Sequence, residues 1–128
     1  MGTIRILYKA PGLPPEWREV PAELDTYQDL VGGYIVAVPW NDKYWMVCNE
    51  DGKLQGLEIN FFWREAQDVI VGPVFFVAEC DEDFASILDD EFEHDIAVYT
   101  EPFWKDDEAD IEVGLTLGEI DDALRELR

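Results

Sequence analysis

The stretch Leu30-Val-Gly-Gly-Tyr-Ile-Val-Ala-Val-Pro-Trp40 decides the fold. Leu30 and Val31 read as the last turn of a short helix. Gly32 and Gly33 stop that helix, because glycine takes the left-handed C-terminal conformation without steric cost. Residues 34–38 then read as a strand that is apolar on both faces, which predicts a central place in a sheet covered on both sides. Pro39 ends the strand, since proline cannot donate to a ladder. The two glycines follow a helix and precede a strand, the reverse of the order a phosphate cradle needs, so they read as a hinge between scaffold elements.

Toward the N-terminus, Asp25-Thr-Tyr-Gln28 has capping-box spacing. A helix from about Thr26 would put Tyr27, Leu30 and Val31 on one stripe. Farther out, Thr3-Ile-Arg-Ile-Leu-Tyr8 alternates and predicts a strand with Ile4, Ile6 and Tyr8 on one face. Pro11-Gly-Leu-Pro-Pro15 breaks any ladder, and Glu16-Trp-Arg-Glu-Val20 returns. The pair predicts a hairpin with one wet face.

Toward the C-terminus, Tyr44-Trp-Met-Val-Cys48 is a second apolar run, and Trp40-Asn-Asp-Lys43 has a length suited to a hairpin turn. Asn49-Glu-Asp-Gly52 is a turn signal. Residues 54–63 carry Leu57, Ile59, Phe61, Phe62 and Trp63 with no clean period, which fits a loop or a short helical turn packing aromatics onto the sheet. Val69-Ile-Val-Gly-Pro-Val-Phe-Phe-Val77 is the third apolar run, and its central Gly72-Pro73 predicts a bulge or an edge. Asp81-Glu-Asp83 reads as a turn and residues 84–87 as a last short strand. A helix over about residues 89–99 follows, with Phe92, Ile96 and Tyr99 as its apolar stripe and Asp89, Asp90 and Glu91 at the positive end of its dipole. After Glu101 the chain turns into a dense acidic linker, then Thr116-Leu-Gly-Glu119, a second capping box, and a stripe of Ile120, Leu124 and Leu127 on a terminal amphipathic helix. The expected fold is α+β: a mainly antiparallel sheet of about five strands, a short helix before the central strand, and one or two C-terminal helices. Residues 1–100 form one domain, and residues 101–128 pack on it or extend from it.

Charge carries the functional signal. Thirty acids against nine bases among 128 residues give a formal net charge of -21. Residues 1–66 hold ten acids and six bases, whereas residues 67–128 hold twenty acids and three bases. Such a chain repels nucleic acid and anionic membrane, and it attracts the basic clefts of proteins that bind nucleic acid. Asp89, Asp90, Glu91, Glu93 and Asp95 form one acidic cluster. Asp106, Asp107, Glu108, Asp110, Glu112, Glu119, Asp121, Asp122 and Glu126 form another, nine acids within 21 positions. Duplex DNA carries one charge per about 1.7 Å of axis, a density that carboxylates on a rigid helix and its flanks can approach. The competing readings of the same acids are a solubilising surface and adaptation to high salt, the second weakened by the heavy use of Trp, Phe and Ile. Trp40, at a hairpin tip, and Trp104, beside the acidic linker, are the candidate aromatic anchors for a partner, although a half-buried ring is the favoured reading of each.

Catalytic and metal chemistry find little support. The sequence holds no G-x-S-x-G, P-loop or Rossmann fingerprint. Asp81, Glu82, Asp83 and Asp89 lack the spacing of a calcium loop, as does the Asn49–Gly52 turn. His94 stands alone and is expected on the exposed face of the second helix. Cys48 and Cys80 make no CxxC and read as reduced, strand-buried thiols of a cytoplasmic protein, with a bridge open to them only if their strands are neighbours. No cofactor or metal is expected.

Leu30-Val-Gly-Gly-Tyr-Ile35, Val47-Cys-Asn-Glu-Asp-Gly-Lys-Leu54 with Gly56, Leu57 and Asn60, and Asp68-Val-Ile-Val-Gly-Pro73 together resemble the core of the domain-of-unknown-function family DUF3846, over about residues 4–97. The resemblance implies a small α+β domain and a mobile-element setting of phages, plasmids and their bacterial hosts. The family has no assigned activity and brings no catalytic residues, and the acidic tail extends beyond its core. The expected function is therefore non-enzymatic: an acidic accessory protein that imitates DNA and blocks the basic cleft of a host defence or DNA-processing protein. The alternatives are a regulatory module whose apolar groove binds a protein segment, and a small-molecule-binding domain.

Overall fold

A computed structural model describes residues 2–78 and 83–104. The terminal helix expected near residues 116–128, the acids beyond residue 104 and Cys80 lie outside those residues. The first strands are β1 (Thr3–Lys9) and β2 (Glu16–Pro21), followed by helix α1 (Leu24–Val31), then β3 (Ile35–Pro39) and β4 (Tyr44–Asn49). Strands β5 (Ile59–Trp63), β6 (Asp68–Val71) and β7 (Val74–Ala78) precede helix α2 (Glu91–Thr100) and a 3-10 turn, Glu101–Phe103. Five strands form one antiparallel sheet in the order β2-β1-β7-β4-β3, and β5 and β6 pair as a separate hairpin. The architecture is α+β, as the sequence predicts.

The sheet separates two apolar layers. On one face Ile4, Ile6, Val20, Val47, Phe75 and Val77 pack under Tyr27 and Val31 of α1. On the other, Leu7, Tyr44, Met46, Val74 and Phe76 meet Phe61 and Ile70 of the β5–β6 hairpin and Phe92 and Ile96 of α2. Strand alternation makes this division: Ile6 and Leu7 are neighbours in sequence and serve opposite layers. Among the described residues no helix is long and apolar enough to cross a membrane.

The helix before β3 stops as expected. Gly32 adopts φ 79°, and its N–H donates to Gln28 O at 2.8 Å. The helix begins earlier than the capping-box reading puts it, at Leu24, with Glu23 as the N-cap and no side-chain cap. A turn set by Pro21, whose carbonyl accepts the Glu23 N–H at 2.9 Å, fixes the start instead.

Three expectations are corrected. β3 is an edge strand, and β7 holds the centre between β1 and β4. The run at residues 69–77 is two strands in two sheets, broken at Gly72 with φ 73° and at Pro73, so the expected bulge or edge is a crossover. Residues 59–63 are a strand whose alternation is interrupted by a register shift between Ile59 and Phe61, which conceals its period. In addition, residues 84–87 form only an isolated bridge, Ala78 to Ala85, with the Ile87 N–H donating to Arg5 O at 3.0 Å.

Candidate functional site

The acids of the first cluster gather at the start of α2 and along its length, with Glu91 and Asp95 one turn apart on one face and Glu93 about half a turn round from them. Asp89 Oδ1 accepts the Glu91 N–H at 3.0 Å and Asp89 O accepts the Phe92 N–H at 3.2 Å, so Asp89 satisfies the first turn of the helix. Asp90 pairs with Arg5 at 2.7 Å. The Arg5 guanidinium also donates to Ile87 O at 3.3 Å and stacks 3.8 Å over the Trp17 ring, which ties α2 to β1. Asp89 and Asp90 are thus committed to the scaffold. Glu91 and Asp95 are exposed and Glu93 half-buried, and among the described residues none of the three forms an ion pair.

Asp89 and Asp95 join Asp42 of the β3–β4 turn around one shallow depression that also includes Trp40, Lys43, Tyr44 and Phe92. Burial, and then the charges of Asp89 and Asp95, hold the Tyr44 phenol above its ordinary range. Charges that oppose an anion here favour a cation by the same field. Asp106, Asp107, Glu108, Asp110, Glu112, Asp121 and Asp122 lie outside the described residues.

The two tryptophans are held by the chain itself. Trp40 stacks on Trp63 with centroids 5.0 Å apart and meets Phe76, Tyr99 and Phe61 edge-on at 5.2, 5.3 and 6.0 Å. Trp104 donates its indole N–H to Ala97 O at 3.2 Å and Thr100 Oγ1 at 3.1 Å. Both rings are half-buried. Phe103 packs against the same core, so the packed domain continues through Trp104.

Two features escape the sequence reading. The first is an apolar cleft of about 240 Å³ where the β5–β6 hairpin leaves part of the sheet uncovered. Val36, Val38, Met46 and Cys48 line it from the sheet, and Trp63 and Val71 from the hairpin. An ion pair between Lys53 and Asp68 sits at its rim. Burial, then the charge of Asp68, pushes the Cys48 thiol up to about 11, which leaves it protonated and a poor nucleophile at neutral pH.

The second is Lys9, fully buried at the end of β1. Its ammonium donates to Asn60 Oδ1 at 2.7 Å and Ala10 O at 2.8 Å. Asn60 donates in return to Lys9 O at 2.9 Å and to Gly72 O at 2.8 Å. Desolvation lowers the Lys9 pKa to about 8, and among the described residues no carboxylate offsets it. Local sequence offers no signal for this pair, since Asn60 lies 51 positions away.

His94 is exposed on α2, as expected. Among the described residues no group of three or more His, Cys, Asp or Glu side chains is arranged to hold a metal ion. A family model described as "Domain of unknown function (DUF3846)" matches residues 4–104, and the chain belongs to that family. No curated protein and no solved structure matched it.

Proposed function

We infer that this DUF3846 domain belongs to a non-enzymatic, acidic accessory protein that occupies the basic nucleic-acid cleft of another protein as a DNA mimic. A phage or plasmid setting, with a host defence or DNA-processing protein as the target, belongs to the same proposal. The observation that carries the reading is the uncompensated charge along α2: Glu91, Glu93 and Asp95 lack an ion pair among the described residues, in a chain of net charge -21. Asp42 extends that charge onto the neighbouring turn. Long-range attraction would set the rate of encounter. Asp106, Asp107, Glu108, Asp110, Glu112, Asp121 and Asp122 would lengthen the anionic track.

The geometry gives the two tryptophans a structural role first. If Trp40 contributes to a partner surface, it does so with the part of the ring not stacked on Trp63. The small-molecule alternative is the weaker one, because the apolar cleft is below the roughly 300–1,000 Å³ of ordinary ligand sites. The test is capture of partners from a bacterial lysate at low and moderate ionic strength, followed by challenge with duplex DNA. Mimicry requires that the captured protein bind DNA, that added DNA displace it, and that salt weaken the capture. Retention in the presence of excess DNA contradicts it.

A further inference from the structure

The two edges of the main sheet are built differently. β2 places the charged Glu16, Arg18 and Glu19 along its edge, which discourages strand addition, and it ends in Pro21 as β3 ends in Pro39. β3 carries Ile35, Val36, Ala37, Val38 and Pro39 and no charge at all. Its bonded partners in β4 follow from the ends of the hairpin: Glu50 N–H donates to Tyr34 O, and Trp40 N–H donates to Tyr44 O. With Val36 opposite Cys48 and Val38 opposite Met46, the even-numbered residues of β3 bond to β4. The N–H and C=O groups of Ile35 and Ala37 therefore face outward, and no strand among the described residues pairs with them.

The surroundings say what would fit. Val36 and Val38 form the near wall of the apolar cleft, so an added strand would set alternate side chains beside it. At the start of β3, Asp29 and Asp51 flank a depression that contains Tyr34. At its far end, Asp42, Asp89 and Asp95 outnumber Lys43 around the other, which leaves that end acidic on balance. Five strand residues separate the two acidic ends, about 17 Å. We propose that β3 accepts, as an added strand, an extended segment of a partner protein whose alternate residues are apolar and whose two ends are basic. Main-chain bonds to Ile35 and Ala37 supply affinity, and the cleft and the acidic ends supply specificity. A second copy of this chain offers the same edge but brings a net charge of -21 toward another -21. The proposal rests on the reading that the partner is basic, and it does not require that the partner's cleft bind nucleic acid.

The probe is the acetylated and amidated peptide KRVTVTVKR, added to the full chain while amide hydrogen exchange is followed by NMR. Saturation should slow exchange at Ile35 and Ala37 by about tenfold or more, and leave Val36 and Val38, already bonded to β4, unchanged. Ala37→Pro removes an outward N–H that no ladder bond uses, so the hairpin stays intact and peptide affinity falls by about tenfold or more. A peptide with glutamate at both ends should bind about tenfold more weakly than the basic one. Unchanged exchange at Ile35 and Ala37 overturns the proposal. So does slow exchange at both amides before any peptide is added, which would mean that the edge is already covered by the protein's own chain or by a second copy. Peptide docking without displacement of captured partners by DNA would sink the mimicry and keep the strand site, and the converse would do the opposite.

Discussion

Lys9 and Asn60 hold one another reciprocally: the Lys9 ammonium donates to the Asn60 side-chain oxygen at 2.7 Å, and the Asn60 amide donates to the Lys9 carbonyl at 2.9 Å. The pair joins the last residue of β1 to β5, and through Gly72 O it reaches the crossover into β7. It therefore anchors the two-stranded hairpin to the five-stranded sheet. Asn60→Ala should destabilise the protein by about 3–5 kcal/mol, because it strips a buried cation of an acceptor and two buried carbonyls of their donor. The urea midpoint measures the loss, and a change under about 1 kcal/mol would remove the pair from this role.

The same lysine sets a pH dependence. The folded chain releases the Lys9 proton near 8, whereas the unfolded chain keeps it to about 10.4. Between those values the unfolded state binds more protons, so this group makes stability rise with pH. The Cys48 thiol, raised to about 11, and the Tyr99 phenol, raised to about 12, act in the opposite sense above about pH 9. The clean window is thus pH 8 to 9. There the wild type should gain up to about 1 kcal/mol relative to Lys9→Met. Parallel stability curves for the two proteins would contradict the assignment.

Gly72 marks the point where the chain leaves one sheet for the other. Its φ is 73°, and a Cβ added there would stand 2.6 Å from Leu57 Cδ1. Its N–H also donates to Glu58 O at 2.7 Å. Gly72→Ala combines backbone strain with a clash and should cost about 2–3 kcal/mol, read as a lower Tm.

Trp40 contacts Phe61, Trp63, Phe76 and Tyr99, which come from both sheets and α2. Trp40→Ala should cost about 3–5 kcal/mol in thermal or urea unfolding. A loss below about 1 kcal/mol would show instead that the ring is free to serve a partner.

These residues also show what a sequence discloses. The β3–β4 hairpin turn and the turn after β4 were legible because their chemistry is local: Asn41 Oδ1 accepts the N–H groups of Lys43 and Tyr44, and Asn49 Oδ1 accepts that of Asp51. The place of β3 was not legible. An apolar run reads as buried on both sides, yet strand order depends on β7 inserting between β1 and β4, a long-range pairing. β5 was hidden because the register shift at Asn60 breaks its alternation. The burial of Lys9 was hidden too, since the side chain that accepts its hydrogen bond is distant in sequence. Of the candidate acids, sequence placed Glu91, Glu93 and Asp95 on α2, but it had no means of seeing that Asp89 accepts the Glu91 N–H or that Asp90 is paired with Arg5.

The most direct test of the central claim is displacement by duplex DNA of the protein that this chain captures from a bacterial lysate, followed for wild type and for a Glu91→Lys, Glu93→Lys, Asp95→Lys variant. DNA mimicry predicts release by DNA, weaker capture at moderate salt, and loss of about tenfold or more in affinity for the charge-reversed variant. Capture that resists both DNA and salt, and survives charge reversal, would contradict it.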